Sequence, residues 1–184
     1  AELARVYDSP PGETSLSGSK LPGKTPGRLP FGASVAVVNG GGAWLEIRLP
    51  EGGSAWLQRG DVLWTSERPH QDPAGIQAAL ALVRRFVGIP YLWGGRSPFG
   101  YDCSGLSGAF WELLGATLPR DADQQRLAGE AVDGAPQPGD LLFFVRESQP
   151  GVETRQEAVS HVGIALGDGR FLHASGGAWG VTVN

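Results

Sequence analysis

The stretch Tyr101-Asp102-Cys103-Ser104-Gly105-Leu106 holds the only cysteine of a 184-residue chain. It sits at a change of pattern. Before it runs a loop dense in glycine and aromatics, Tyr91-Leu92-Trp93-Gly94-Gly95-Arg96-Ser97-Pro98-Phe99-Gly100. After it, Leu106, Phe110, Leu113 and Leu114 recur at helical spacing. The pattern predicts a helix over 103–114 with the cysteine in its first turn. A lone cysteine forms no internal disulfide, so Cys103 is either core filler or a reagent. Helix-start N–H groups favour its thiolate. Gly105 and Gly108 lower helix propensity and let other elements approach closely.

Working outward, Asp72-Pro73 is a helix start, with aspartate as N-cap and proline at the first helical position. Ile76, Ala79, Leu80, Val83 and Phe86-Val87 continue a helical stripe that Gly88-Ile89-Pro90 stops. Pro119 breaks the chain, and 121–128 read as a short polar helix. The last third reads as strands: 141–145, then 161–166 and 171–174 around the turn Gly167-Asp168-Gly169, with 180–184 as the start of another. Segment 146–158 is a polar loop. Helices followed by antiparallel strands make an α+β domain over 73–184.

Residues 1–66 have a different character. Leu3-Ala4-Arg5-Val6-Tyr7 is short and extended, and a broken stretch rich in Gly, Ser, Pro and Lys runs from Ser9 to Pro30. A strand over 33–38 and the turn Asn39-Gly40-Gly41-Gly42 follow. In Ala43-Trp44-Leu45-Glu46-Ile47-Arg48-Leu49 polar and apolar residues alternate, as in a strand with one buried face. A further strand begins at Ser54-Ala55-Trp56-Leu57. Short strands joined by glycine turns predict a small all-β barrel, with 67–72 as the linker. Trp44 and Trp56 are either binding surface or core.

Composition narrows the classes. Hydrophobic residues make up 41%, enough for a core, and 29 glycines with 14 prolines imply many turns and loops. A net charge of −4 without a basic stripe gives no footprint for nucleic acid. No apolar run of about 20 residues spans a membrane. The chain starts at Ala1 and lacks methionine, which reads as a processed or trimmed product; the sequence does not itself show whether an export signal was removed.

A cysteine at a helix start facing a histidine on a strand is the arrangement of papain-like peptidases. His161 and His173 are the histidines in reach. Their meeting depends on the hairpin between them. A two-residue loop at Asp168-Gly169 puts them on opposite sheet faces, whereas a three- or five-residue loop, or a bulge, puts them on the same face. The sequence allows both.

The successive motifs Tyr91-Leu92-Trp93-Gly94-Gly95, Asp102-Cys103-Ser104-Gly105-Leu106, Pro138-Gly139-Asp140-Leu141 with Phe143-Phe144, Ser160-His161-Val162-Gly163-Ile164 and His173-Ala174-Ser175 resemble those of the NlpC-type bacterial cell-wall cysteine peptidases. The likeness covers about residues 73–184. The first 66 residues, above all Val6-Tyr7-Asp8-Ser9-Pro10, resemble the bacterial SH3-like barrel of members that recycle short wall peptides. The resemblance implies a small SH3-like barrel followed by a papain-like α+β peptidase domain. It implies Cys103 as nucleophile, His161 as base, His173 as the residue that orients it, and Tyr91 near the thiol or oxyanion. Asp102 would meet the free amine of the substrate's L-alanine. Ser104 and Ser160 would contact substrate; Arg96 and Arg120 are either partners for peptide carboxylates, whose geometry a guanidinium matches, or surface arginines. The implied substrate is a peptidoglycan stem peptide or muropeptide, cut between γ-D-glutamate and meso-diaminopimelate or lysine. No cofactor, metal or oligomer is required. The implied setting is bacterial: periplasmic or wall-associated after export, otherwise cytoplasmic recycling. Segment 146–158 is longer than the family usual, and the chain ends soon after His173.

Rival readings are a non-catalytic wall-binding protein on a peptidase-like scaffold, a metal site formed by Cys103, His161 and His173, and an acyltransferase or amidase using the same thiol.

Overall fold

The computed structural model describes residues 4–7, 27–145 and 159–184. Residues 8–26, most of the expected polar stretch, and 146–158, the expected long loop, lie outside the described residues. Residues Glu2–Glu67 and Arg68–Asn184 form two compact units. Among the described residues no helix is long and apolar enough to cross a membrane.

In the first unit β1 (Ala4–Val6) pairs antiparallel with β2 (Gly27–Leu29), and β3 (Ala36–Gly41), β4 (Trp44–Arg48) and β5 (Ser54–Gln58) form a three-stranded meander. Tyr7 joins the two sets through paired backbone bonds with Trp56, at 2.9 and 2.7 Å. The alternation in β4 resolves as read: Leu45 and Ile47 are buried, and Val6, Ile47, Ala55 and Leu57 make the core. Trp44 and Trp56 lie on the opposite, half-buried face, so they are not part of this core, and Tyr7 meets Trp44 edge-on. The expectation of a barrel is not met as such. The described strands form separate sheets that do not close on themselves. Gly27–Leu29 is a strand within the stretch expected to be broken. Asn39-Gly40-Gly41, expected as a turn, belongs to β3, because a bulge between Val37 and Asn39 shifts the register and moves the turn to Gly42 at φ +65°.

The second unit opens with α1 (Pro73–Arg84), capped as its sequence predicts: the Asp72 carboxylate accepts from the Gly75 N–H at 2.7 Å. Ala79, Leu80 and Val83 bury its apolar face. The glycine-aromatic loop contains a small hairpin that its composition hid, β6 (Arg96–Ser97) with β7 (Gly100–Tyr101). Next come α2 (Cys103–Leu113) and α3 (Ala122–Ala128). Then β8 (Leu141–Val145), β9 (Val159–Ala165), β10 (Phe171–Ser175) and β11 (Gly180–Val183) form an antiparallel sheet in which neighbours in sequence are neighbours in space. α2 packs on β9 and β10, whose Val162, Ile164, Leu172 and Ala174 are buried with Leu106 and Phe110.

Candidate active site

The β9–β10 hairpin settles which faces its histidines share. Leu166 donates to the Arg170 carbonyl across Gly167-Asp168-Gly169, with both glycines at positive φ, and Phe171 stands opposite Ala165. This is the three-residue loop, so His161 and His173 point to the same side. Their rings meet directly, with His161 Nε2 2.6 Å from His173 Nδ1. Phe144 and Phe171 flank them.

The same hairpin prepares a place for the thiol. The Leu166–Arg170 bond sets the parity, so the N–H of Val162 points towards β10. The β9–β10 pairing stops at Leu172–Ile164, short of Val162. Its N–H therefore remains for Cys103, whose sulfur also lies against the backbone N–H groups of Ser104 and Cys103 itself. Three backbone donors favour the thiolate, yet burial outweighs them and, with the Asp102 charge, holds the thiol's pKa above its ordinary value. The expectation of a thiolate favoured by its helix start is thus corrected: the donors are in place, but desolvation wins. Both imidazoles shift downwards. Burial lowers His161, helped by the neighbouring His173. Burial lowers His173 against an upward pull from the Asn184 side chain. The resting pair is a neutral thiol and a neutral imidazole. Cys103 is held one residue along the strand from His161, whose ring is turned to His173.

Tyr91 is half-buried, and its hydroxyl pKa is raised by burial and by the charges of Cys103 and Asp102. Its N–H donates to the Trp179 carbonyl, and its ring lies along the turn at Gly176. Tyr91 thus belongs to the same electrostatic environment as the thiol.

Asp102 is 6% exposed and is the N-cap of α2. Its Oδ1 accepts from Gly105 N (2.7 Å), Arg120 Nη1 (3.2 Å) and Ser104 Oγ (3.4 Å). Its Oδ2 accepts from Arg120 Nη2 (2.6 Å) and Gly94 N (2.9 Å). A carboxylate has about four lone-pair sites, so this one is full. Arg120 also donates to Ser104 Oγ at 2.9 Å. The carboxylate that Arg120 meets is therefore one of the chain's own. Arg96 is exposed and shares a groove beside α2 with Ser104 and Arg120. Ser160 is exposed and donates to the Phe144 carbonyl at 3.2 Å, on the edge-strand side of β9.

Sequence reading missed Gln125. Only 2% exposed, its amide donates to the carbonyls of Ser104 (3.0 Å) and Pro119 (2.9 Å) and its oxygen accepts from Ser107 Oγ (2.6 Å). It bolts α3 and the Arg120 loop to the first turn of α2. Its only sequence signal is a glutamine in a short polar helix, which is no signal. Among the described residues no three His, Cys, Asp or Glu side chains gather in a metal-holding group.

Residues 88–184 match the profile of the NlpC/P60 family. A Bacillus cereus protein named gamma-D-glutamyl-L-lysine dipeptidyl-peptidase is 36% identical over 130 residues, covering 70% of this chain and 37% of that protein. A Bacillus subtilis protein of the same name is 44% identical over 90 residues, covering 48% of this chain and 28% of that one. The chain thus spans well under half the length of these curated relatives. The crystal structure of an NlpC/P60 family protein from Bacillus cereus superposes with a TM-score of 0.76 at 27% identity, covering 99% of this chain and 55% of that one. With a matched profile over more than half its length and a cysteine and paired histidines set as described, this chain belongs to the NlpC/P60 family.

Proposed function

We propose that the chain is a cysteine peptidase that hydrolyses the γ-D-glutamyl–diamino acid bond of peptidoglycan stem peptides. The observation that carries this reading is the junction of α2 with β9. There the Cys103 sulfur lies against backbone donors, one residue along from an imidazole whose Nε2 is held at 2.6 Å by His173. With Nε2–H donating to His173 Nδ1, the Nδ1 of His161 is the free base. It takes the Cys103 proton as the sulfur attacks the γ-carbonyl carbon. The Cys103 N–H and the Tyr91 hydroxyl serve the oxyanion. His161 then returns the proton to the leaving amine, and a thioester remains. Water, deprotonated by His161, attacks the thioester, releasing the γ-carboxylate and restoring the thiol. Catalytic hydrogen bonds are often loose before substrate binds, and this mechanism requires Cys103 and His161 to come within hydrogen-bond reach in the complex.

The names of the two Bacillus relatives support the γ-D-glutamyl specificity, lysine as a leaving residue, and release of a dipeptide; a free N-terminal L-alanine on the substrate is part of the proposal. The short strands of the first unit, with their alternating burial, support its reading as an SH3-like module. Incubation with L-Ala-γ-D-Glu-diaminopimelate, its lysine counterpart and intact sacculi, followed by mass spectrometry, tests the reading. Release of L-Ala-D-Glu is expected. Hydrolysis that survives Cys103→Ala refutes the thiol mechanism, and cleavage of sacculi alone refutes the preference for short peptides.

A further inference from the structure

The Asp102 carboxylate poses an electrostatic problem that the mechanism leaves open. A cap at the start of α2 needs an acceptor, and an aspartate supplies one. The same negative charge, one residue from the nucleophile, opposes thiolate formation. Arg120 lies 18 positions on, in the loop before α3, and engages both carboxylate oxygens in the forked geometry of an arginine–carboxylate pair. It also holds Ser104, the residue after the nucleophile.

We infer that Arg120 is a positioning residue: by pairing with Asp102 it lets a charged cap hold the first turn of α2 while limiting how strongly that charge opposes ionisation of the adjacent nucleophile. The inference rests on the reading of Cys103 as the reacting group. The charged and titratable groups that bear on the thiol are Asp102 at the cap, Tyr91 from the loop before it and Arg120 beyond it, with Asp121 beside Arg120 and the His161–His173 pair on the sheet. Within this set Arg120 and Asp102 are directly ion-paired. Asp102 raises the pKa of both Cys103 and Tyr91, and Arg120 lowers that of Tyr91. The opposed effects of the pair on one neighbouring group are those of a compensated charge. The role the sequence assigned to Arg120, holding a carboxylate of the substrate, is filled inside the protein.

The single cysteine makes the test site-specific. The rate of Cys103 alkylation by iodoacetamide is followed against pH by intact mass, on the whole chain, with circular dichroism to confirm folding. Arg120→Gln should raise the midpoint by about one pH unit, and Arg120→Lys, which keeps the charge, by less than half as much. Asp102→Asn keeps a capping side chain and removes the negative charge, so its midpoint should fall below wild type. The double variant should return towards wild type. Gln125→Ala loosens the same junction without changing charge and should leave the midpoint in place. The inference is overturned if Arg120→Gln leaves the midpoint unmoved. It also fails if Asp102→Asn moves the midpoint upwards, or if Gln125→Ala shifts it as far as Arg120→Gln does. If Arg120→Gln does not fold, the double variant set against Asp102→Asn alone still decides: equal midpoints for the two overturn the inference. Failure of the peptidase reading shows separately, as hydrolysis that persists in Cys103→Ala.

Discussion

Alanine at Gly105 would place its β-carbon well inside contact distance of the Gly95 carbonyl oxygen, 3.2 Å from the Gly95 carbonyl carbon and 2.9 Å from Asp102 Oδ1. Neither neighbour can yield cheaply. The Gly95 carbonyl accepts from the Asp102 N–H at 3.0 Å, and Asp102 Oδ1 caps the helix through Gly105 itself. Forcing the two apart costs about 1–3 kcal/mol in overpacking, about 1 kcal/mol for the cap and about 1 kcal/mol for the backbone bond. Better helix propensity returns about 1 kcal/mol. The net expectation for Gly105→Ala is a loss of about 2–4 kcal/mol. At Gly108, one turn on, a β-carbon meets nothing within 4 Å, so Gly108→Ala should gain up to about 1 kcal/mol from propensity alone. Hydrogen exchange of α2 peptides across a urea series reports the unit that carries the site. With a denaturant slope of about 2 kcal/mol/M, the Gly105→Ala midpoint should fall by about 1–2 M while that of Gly108→Ala holds or rises. Equal stability of the two variants would refute the close approach as the reason for Gly105.

Two further predictions concern the histidines. The acid limb of kcat/KM should lie below the ordinary imidazole value of 6.5, because burial and His173 lower the pKa of His161. Activity therefore rises with pH through that limb, and a limb at or above 6.5 in the pH–rate profile would contradict the neutral resting base. His173→Ala should cut kcat by about 100-fold, within the range of general-base effects, and His173→Asn should recover part of the loss by offering an acceptor to His161 Nε2. Equal kcat for the two variants would show that His173 does not orient the base.

Legibility in the sequence followed the range of the interactions. The α1 cap at Asp72 and the alternation in β4 are local, and each took the form its residues predict; the apolar run of β8 did form a strand, but at the sheet edge, where Phe144 and Val145 are exposed and not buried as the run predicts. The His161–His173 contact was one of two possibilities, because hairpin parity depends on loop length and the glycines at 167 and 169 permit more than one. The partnership of Arg120 with Asp102 was hidden for a different reason. An arginine in a loop carries no mark of which carboxylate it will meet, and resemblance pointed outward to substrate where the fold points inward. Gln125 was beyond reach, since its three partners converge only when α3 docks on α2. Glycine counts misled at 39–41, where a bulge keeps the chain in the strand.

The early end of the β9–β10 ladder has a consequence for motion. A backbone amide in a sheet usually exchanges with solvent only when the strands part. The Val162 amide is placed differently: it lies beside the sulfur of a helix that packs across the strand. Its opening is governed by the docking of α2, while the Ile164 amide, two residues away and paired to Leu172, opens with the sheet. The two sit on one strand but on separate clocks, and the difference between their exchange rates measures how often the nucleophile leaves its post while the base stays at its own.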